Sequence, residues 1–272
     1  MPLLTHIPRP PLGRFLELFW HCDGAAAPTG VERILPTGGT QVIFNLRDTP
    51  FQFGVTNDPT RLTRHRGPLL CGPRSTFSLA AGAGQAATLG IVFKPGGTRS
   101  FFAPPTGELH NQHLPLTDLW GAAADELHDR LLNARSATTR FAILEAALLR
   151  QLRRQTDHLS AVQYALQAFA TVPQNRSITE VAEELGLSPR WFIQIFRDHV
   201  GLTPKVHCRL RRFQAALQRI YGPETPDWCQ LALQSGYYDQ AHFIRDFRSF
   251  AGLTPTAYRT CRAGHPNHVR QT

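Results

Sequence analysis

Up to about Leu116 the apolar residues come in short runs cut by Gly and Pro. Examples are Gln41-Val-Ile-Phe-Asn-Leu46 after Pro36-Thr-Gly-Gly39, and Thr88-Leu-Gly-Ile-Val-Phe93 before Pro95-Gly-Gly97. This punctuation predicts strands and turns. In the first run Val42, Phe44 and Leu46 fall on one side of a pleated strand and Ile43 and Asn45 on the other, so a small antiparallel barrel or sandwich is expected. The stretch from Pro10 to Cys22 fits a short helix or a strand, because its periodicity selects neither.

Beyond Asp118 Gly and Pro nearly vanish and helix formers dominate from Ala122 to Arg154. Phe141, Leu144, Leu148 and Leu152 recur at i, i+3, i+7 and i+11, the stripe of an amphipathic helix. Such a stripe serves a connector that dimerises or a cover packed on its own sheet, and spacing alone does not choose.

The last 100 residues contain a repeat. Val181-Ala-Glu-Glu-Leu-Gly186 aligns with Leu231-Ala-Leu-Gln-Ser-Gly236. Phe192-Ile193, Phe196-Arg197 and Gly201-Leu-Thr-Pro204 return as Phe243-Ile244, Phe247-Arg248 and Gly252-Leu-Thr-Pro255. Each copy reads as one structural unit. In the first, Ser177-Ile-Thr-Glu180 is a capping box, and Ile178, Val181, Ala182 and Leu185 form the buried stripe of a short helix. Gly186 permits a sharp turn, then Ser188 caps a second helix with Pro189 at its first position. This is helix, tight turn, helix.

On that second helix Phe192, Ile195 and Phe196 face inward, leaving Arg190, Ile193, Gln194 and Arg197 outward. In the second copy Asp239 caps, Phe243 and Phe247 face inward, and Ala241, Ile244, Arg245 and Arg248 take the outer face, with Gln240 and His242 flanking. One helix with scattered arginines reads as a solvated face; the duplication points instead to a pair of major-groove helices. Between the copies, Thr203 caps and Pro204 opens a helix whose apolar positions are Val206, Leu210, Phe213, Leu217 and Ile220, ended by Gly222-Pro223. Eighteen residues span about 27 Å. Such a strut suits two reading helices set about one DNA turn, ~34 Å, apart, so one chain is expected to read a bipartite site in two successive major grooves.

Charge agrees with this reading. The 272 residues carry 29 basic and 20 acidic side chains, and only Lys94 and Lys205 are lysines, so the net +9 is almost all guanidinium, the group whose planar fork matches phosphates and base edges. Residues 173–272 hold 13 basic against 8 acidic groups, the denser excess. Arg197 and Arg248 are expected on phosphates, and Arg190, Gln194, Gln240 and Arg245 on bases. Arg209, Arg211, Arg212 and Arg219 decorate the strut.

Together these residues resemble the AraC/XylS transcription regulators, over approximately Leu159 to Arg259. Ala-x3-Gly, Ser-x-Arg-x-Phe-x3-Phe-Arg and Gly-Leu-Thr-Pro appear in order, and the second unit adds Gly236-Tyr-Tyr-Asp-Gln-Ala-His-Phe243. The family often carries Arg where the first reading helix has Gln194, which leaves open the base this helix reads. The resemblance implies a bacterial, sequence-specific regulator of transcription whose partners are double-stranded DNA, a small-molecule effector or a second copy in a homodimer, and RNA polymerase where it activates.

The first half is similar to the β-rich companion domains of this module in Arg33-Ile-Leu-Pro36, Val42-Ile-Phe-Asn-Leu46, Cys71-Gly-Pro-Arg74 and Phe93-Lys-Pro-Gly-Gly97. A ligand pocket is expected in the sheet interior and its mouth, with Trp20, Phe44, Arg74 and Phe93 as candidates. The expected fold is therefore α+β and multidomain. A small antiparallel β barrel or sandwich occupies residues 1–117, a helical connector 118–156, an all-α double helix-turn-helix domain 157–262, and a tail 263–272. The alternative function is a DNA-binding protein whose N-terminal domain only dimerises or binds proteins, with no small molecule.

Enzyme readings find little support. His110-x-x-His113 lacks the third ligand of a metal site. The five dispersed cysteines make no CxxC pair and read as reduced thiols. No nucleophile elbow, phosphate loop or dinucleotide fingerprint occurs, so neither catalytic residues nor a metal or cofactor is expected. Four prolines among the first eleven residues argue against a signal peptide, and no apolar stretch is long enough to span a membrane, so a cytoplasmic location is expected.

Overall fold

The computed structural model describes residues 3–24, 30–47, 49–54, 58, 60–82, 87–153, 157–171, 176–222 and 226–270. Arg154 and Pro223 lie outside the described residues. The first part holds β1 (Leu3–His6), β2 (Leu16–Asp23), β3 (Val31–Ile34), β4 (Gln41–Asn45), β5 (Phe51–Gly54), β6 (Thr63–His65), β7 (Leu69–Cys71), β8 (Ser78–Ala81), β9 (Ala87–Phe93) and β10 (His113–Pro115). Pro10 to Cys22 divides between a 3-10 turn, Leu12–Arg14, and β2.

The strands form two antiparallel sheets, β1-β2-β9-β4-β7-β10 and β11-β3-β8-β5-β6, where β11 (His268–Arg270) comes from the far end of the chain. Alternation along the pleat assigns the two faces of the first sheet. Val42, Phe44, Leu89, Ile91 and Phe93 point to the outer face, while Ile43 points to the second sheet and joins Phe51, Phe53 and Leu69. The outer face is covered by α2 (Ala122–Asn133) and α3 (Ala137–Gln151), which follow the short α1 (Thr117–Trp120). Phe141, Leu144 and Leu148 are buried there, with Leu152 packed alongside, so this stripe is spent on the chain's own sheet.

The remaining helices are α4 (Leu159–Ala168), α5 (Ile178–Glu184), α6 (Pro189–Val200), α7 (Pro204–Tyr221), α8 (Trp228–Gln234), α9 (Gln240–Ala251) and α10 (Pro255–Cys261). The caps the sequence indicates are present, and Asp227 of α8 and Thr254 of α10 join them. Ser177 and Glu180 close a capping box, Ser188, Thr203, Asp239 and Thr254 accept amides of the first turns, and Gly201 and Gly252 end α6 and α9 at φ 87° and 69°. α4, α5 and α6 share one core around Val162, Phe169, Phe192 and Phe196. α7 to α10 share another around Phe213, Leu217, Phe243, Phe247 and Tyr258, which continues into Leu35, Phe77 and Leu79 of the β-domain.

After α10 the chain folds back. Arg262 donates to the carbonyls of Ile220, Tyr221 and Gly222 at the end of α7. β11 then pairs with β3 in the register His268 to Ile34 and Arg270 to Glu32, and His268 Nδ1 lies 2.8 Å from Glu32. The tail thus becomes an edge of the β-domain, a pairing of residues more than 230 positions apart that no local pattern signals.

Candidate nucleic-acid interface and inter-sheet cavity

α5 and α6 make the first helix-turn-helix unit, α8 and α9 the second. The turns pass through Gly186 and Gly236 at φ 65° and 81°, a region that glycine enters without a Cβ clash. On α6, Phe192, Ile195 and Phe196 are buried, while Arg190, Ile193, Gln194 and Arg197 are exposed. On α9, Phe243 and Phe247 are buried, and Gln240, Ala241, Arg245 and Arg248 are exposed, with His242 half-buried against the edge of Tyr237. Both helices present their polar stripes as the periodicity requires.

Ile244 departs from its expected outer position. It is half-buried, packed against the second core between Trp228 and Pro255, because α8 and α10 close over that side of α9. It therefore supports the helix rather than facing outward. The guanidinium groups also differ in their freedom. Those of Arg190, Arg245 and Arg248 make no hydrogen bond or ion pair among the described residues. The Gln194 amide donates to Asp198 at 2.9 Å, and Arg197 leans on the 3-10 turn Thr106–Leu109, where a Cβ on Gly107 would stand 3.0 Å from its Cγ.

Between the two units lies a cleft of about 710 Å³, floored by Lys205, Arg209 and Arg212 of α7 and walled by Tyr238, His242 and Arg245. Its basic floor follows an i, i+4, i+7 spacing legible in the sequence but hidden there among the other arginines. Arg209 pairs with the buried Asp246, Arg212 stacks on Tyr237 at 5.4 Å, and Arg211 donates to the Ala170 carbonyl at 2.6 Å. These arginines are engaged in holding the two units to the strut. Tyr238, 87% exposed at the tip of the second turn, is a further exposed aromatic that the stripe analysis omits.

The second site is a cavity of about 250 Å³ between the sheets. Trp20, Ile43, Phe51 and Phe53 make its apolar wall, Gln41, Arg74 and His113 its polar groups, and His265, Asn267 and His268 of the returning tail close one side. Trp20 is seated over Gly90, where a Cβ would come within 2.2 Å of the indole. Two expected ligand residues are corrected: Phe44 and Phe93 are fully buried on the opposite face of the sheet, under α2 and α3. The pleat sends them outward while their neighbours Ile43 and Thr88 face the cavity.

Burial sets the charge of this site. His113 is pushed down to about 3, helped by Arg74, and is neutral; the Cys71 thiol is pushed up to about 12 and stays protonated. The Arg74 guanidinium donates from Nε to the Thr76 carbonyl and from its two terminal nitrogens to Asn111 and Phe77, at 3.3, 3.3 and 3.4 Å. Among the described residues it has no carboxylate partner. His110, of the His-x-x-His pair, bonds Ser75 Oγ at 2.8 Å, and His113 lies against the Phe53 ring at 4.6 Å.

Two stretches of the chain match family models. Residues 181–260 match the family model of a helix-turn-helix domain, and residues 4–115 match a domain of unknown function, DUF6597. An uncharacterized HTH-type transcriptional regulator of Haemophilus influenzae is 33% identical over 96 residues, 35% of this chain and 32% of that protein. The XylDLEGF operon transcriptional activator 1 of Pseudomonas putida is 29% identical over 85 residues, 30% of this chain and 26% of that protein. The chain thus spans about a third or less of the length of these relatives. A solved structure of ToxT from Vibrio cholerae covers 95% of this chain and 98% of its own at 13% identity, with a TM-score of 0.47. The C-terminal pair of units, with their caps, strut and order, is thus a helix-turn-helix domain similar to that of the AraC/XylS regulators, preceded by a β-rich domain that carries the second match.

Proposed function

We propose that this protein is a sequence-specific transcription regulator of the bacterial cytoplasm that binds double-stranded DNA and answers to a small molecule held between its sheets. The observation that carries the reading is the duplicated exposed stripe: α6 and α9 present Arg190 with Gln194, and Gln240 with Arg245, on equivalent outer faces. Arg and Gln donate in pairs to guanine and adenine edges, so these four read bases while Arg197 and Arg248 hold phosphates. Ile193, Ala241 and His242 lie beside them within reach of the groove. α7, 18 residues long and so about 27 Å, sets the separation.

Residues 1–117 serve as the sensing domain, 118–156 as the helical connector, 157–262 as the DNA-binding domain and 263–272 as the tail that ties the two ends together. A second copy and RNA polymerase are partners at the promoter. The family is one of regulators, and the inter-sheet cavity takes a ligand rather than turning it over. Selection of bound fragments from a random DNA pool with the full chain tests the reading. It should return a bipartite motif, and footprinting should protect two major-groove segments centred about 10 bp apart. Binding that shows no preference over random competitor would overturn it.

A further inference from the structure

The two helix-turn-helix units differ in their turns by one residue. Gly186 stands two positions before the cap Ser188, whereas Gly236 stands three positions before the cap Asp239. Leu187 and Tyr237 are equivalent, because each donates its N–H to the same carbonyl of the preceding helix, Ala182 at 2.9 Å and Ala232 at 3.0 Å. Each also packs into the core of its own unit. Tyr238 is therefore the added residue. It neither caps nor packs: Asp239 makes the cap, and Tyr238 is 87% exposed, more open than any other large apolar residue among those described.

Tyr238 lines the cleft between the units, and the other residues of that cleft decide what it meets there. Arg245 belongs both to the cleft wall and to the outer stripe of α9, so a duplex read by α9 passes over the cleft. Of the basic floor, Arg209 is paired with Asp246 and Arg212 lies over Tyr237. Lys205 is the floor cation that makes no hydrogen bond or ion pair among the described residues. It is exposed in the first turn of the 18-residue α7, whose aligned amides add positive potential at that end. The two carboxylates of the cleft are engaged: Asp239 accepts the His242 N–H at 2.6 Å, and Asp246 faces Arg209. The Tyr238 hydroxyl, like the Lys205 ammonium, is a donor without an acceptor among the described residues.

On one face of a duplex, two successive major grooves are separated by the minor groove and by the phosphodiester strands that border it. Phosphates accept from lysine and tyrosine side chains and are drawn to helix N-termini, and the cleft offers all three. We propose that the cleft seats the sugar–phosphate backbone between the two half-sites, with the Lys205 ammonium and the Tyr238 hydroxyl each donating to a spacer phosphate. Such a clamp carries no sequence choice of its own; it fixes the register of the second unit relative to the first. The residue added to the second turn is what brings the phenol to the cleft. This deepens the DNA-binding reading above and rests on it, and the test separates the two.

The probe is the duplex that fragment selection returns, made with a single uncharged methylphosphonate linkage at each spacer position in turn, and binding of the full chain is followed by anisotropy. At one or two spacer positions the neutral linkage should weaken the parent protein about fivefold. Lys205→Gln should lose about as much on the unmodified duplex, lose nothing further at one of those positions, and reduce the salt slope by about 1. Tyr238→Phe should lose about three- to fivefold and be insensitive at the other position, and Tyr238→Ala should lose no more than Tyr238→Phe, since the hydroxyl and not the ring makes the contact. Selection with Tyr238→Phe should return the parent motif. Spacer linkages that are all neutralised without loss would overturn the clamp and leave the DNA-binding reading standing on the recovered motif. Tyr238→Phe that binds as the parent does, or that changes the preferred spacer bases, would overturn the phosphate contact of Tyr238. Selection that returns no motif would overturn the DNA-binding reading and the clamp with it.

Discussion

The two helix-turn-helix units share one scaffold, yet their cores are built from different chemistry. The Gly-Leu-Thr-Pro turns align Ile195 with Asp246, His199 with Phe250 and His207 with Tyr258. In the first unit Ile195 is buried among apolar neighbours, and two buried histidines lie beside it, His207 edge-on to Phe196 at 5.5 Å. In the second, Asp246 is buried and paired with Arg209 of the strut, and aromatic rings fill the histidine positions. The second unit is thus locked to α7 by an ion pair and shares its core with the β-domain. The first is closed by apolar contacts and groups that titrate. Duplicated geometry does not imply duplicated energetics.

The largest expected effect tests the lock. Asp246→Ala should cost about 2–4 kcal/mol in urea melts of the full chain, somewhat below a fully buried pair because Arg209 is a third exposed and rehydrates. Asp246→Ile, which copies the first unit, should stay within about 1 kcal/mol of the parent, since removing a buried carboxylate also removes its desolvation cost. Equal losses in both variants would mean that the pair does more than satisfy a buried charge.

Next comes DNA readout. Arg245→Ala should cost about 1–3 kcal/mol on the preferred site and relax preference in one half. Gln194→Ala should cost about 1 kcal/mol or less, because its amide must first give up Asp198. Competition anisotropy that finds the two equal would erase the asymmetry between the units.

Acid should then open the first unit before the second. Burial, with Arg211 nearby, pushes His207 down to about 4, and burial lowers His199 as well. The unfolded chain binds these protons near pH 6.5 while the folded chain does not. For His207 the stability held above pH 6.5 is therefore lost as pH falls toward 4, at up to about 1.4 kcal/mol per pH unit, and His199 adds a loss of the same sign. Hydrogen exchange at pH 5 should show residues 178–200 opening ahead of 228–251, and His207→Tyr should shrink the gap. The smallest effect concerns phosphates. Arg248→Ala should reduce the salt slope of binding by about 1, and Arg197→Ala by less, since its stem leans on Gly107.

Much of the DNA-binding half is legible without coordinates. Ser177, Ser188, Thr203 and Asp239 cap the helices they precede, and the apolar stripes of α6, α7 and α9 bury almost as spaced. Ile244 escapes because its burial depends on α8 and α10 closing over it rather than on its own helix. The β-domain is less legible. Alternation in β4 separates Val42 and Phe44 from Ile43, but nothing local says which face meets helices and which meets the second sheet. Of the four residues expected at the pocket, Trp20 and Arg74 therefore line it, while Phe44 and Phe93 turn to the other face.

What the sequence determined by itself is what depends on near neighbours: caps, turns, helical stripes, the repeat and the excess of guanidinium. These follow from hydrogen bonds and side-chain directions set within a few residues. Only the tertiary structure decided how β11 joins β3, how Asp246 finds Arg209 and how Pro73–Phe77 reaches Gly201 and Gly252. Those contacts join residues from 37 to more than 230 positions apart, and their partners are chosen by which surfaces remain to be buried once every local element has formed.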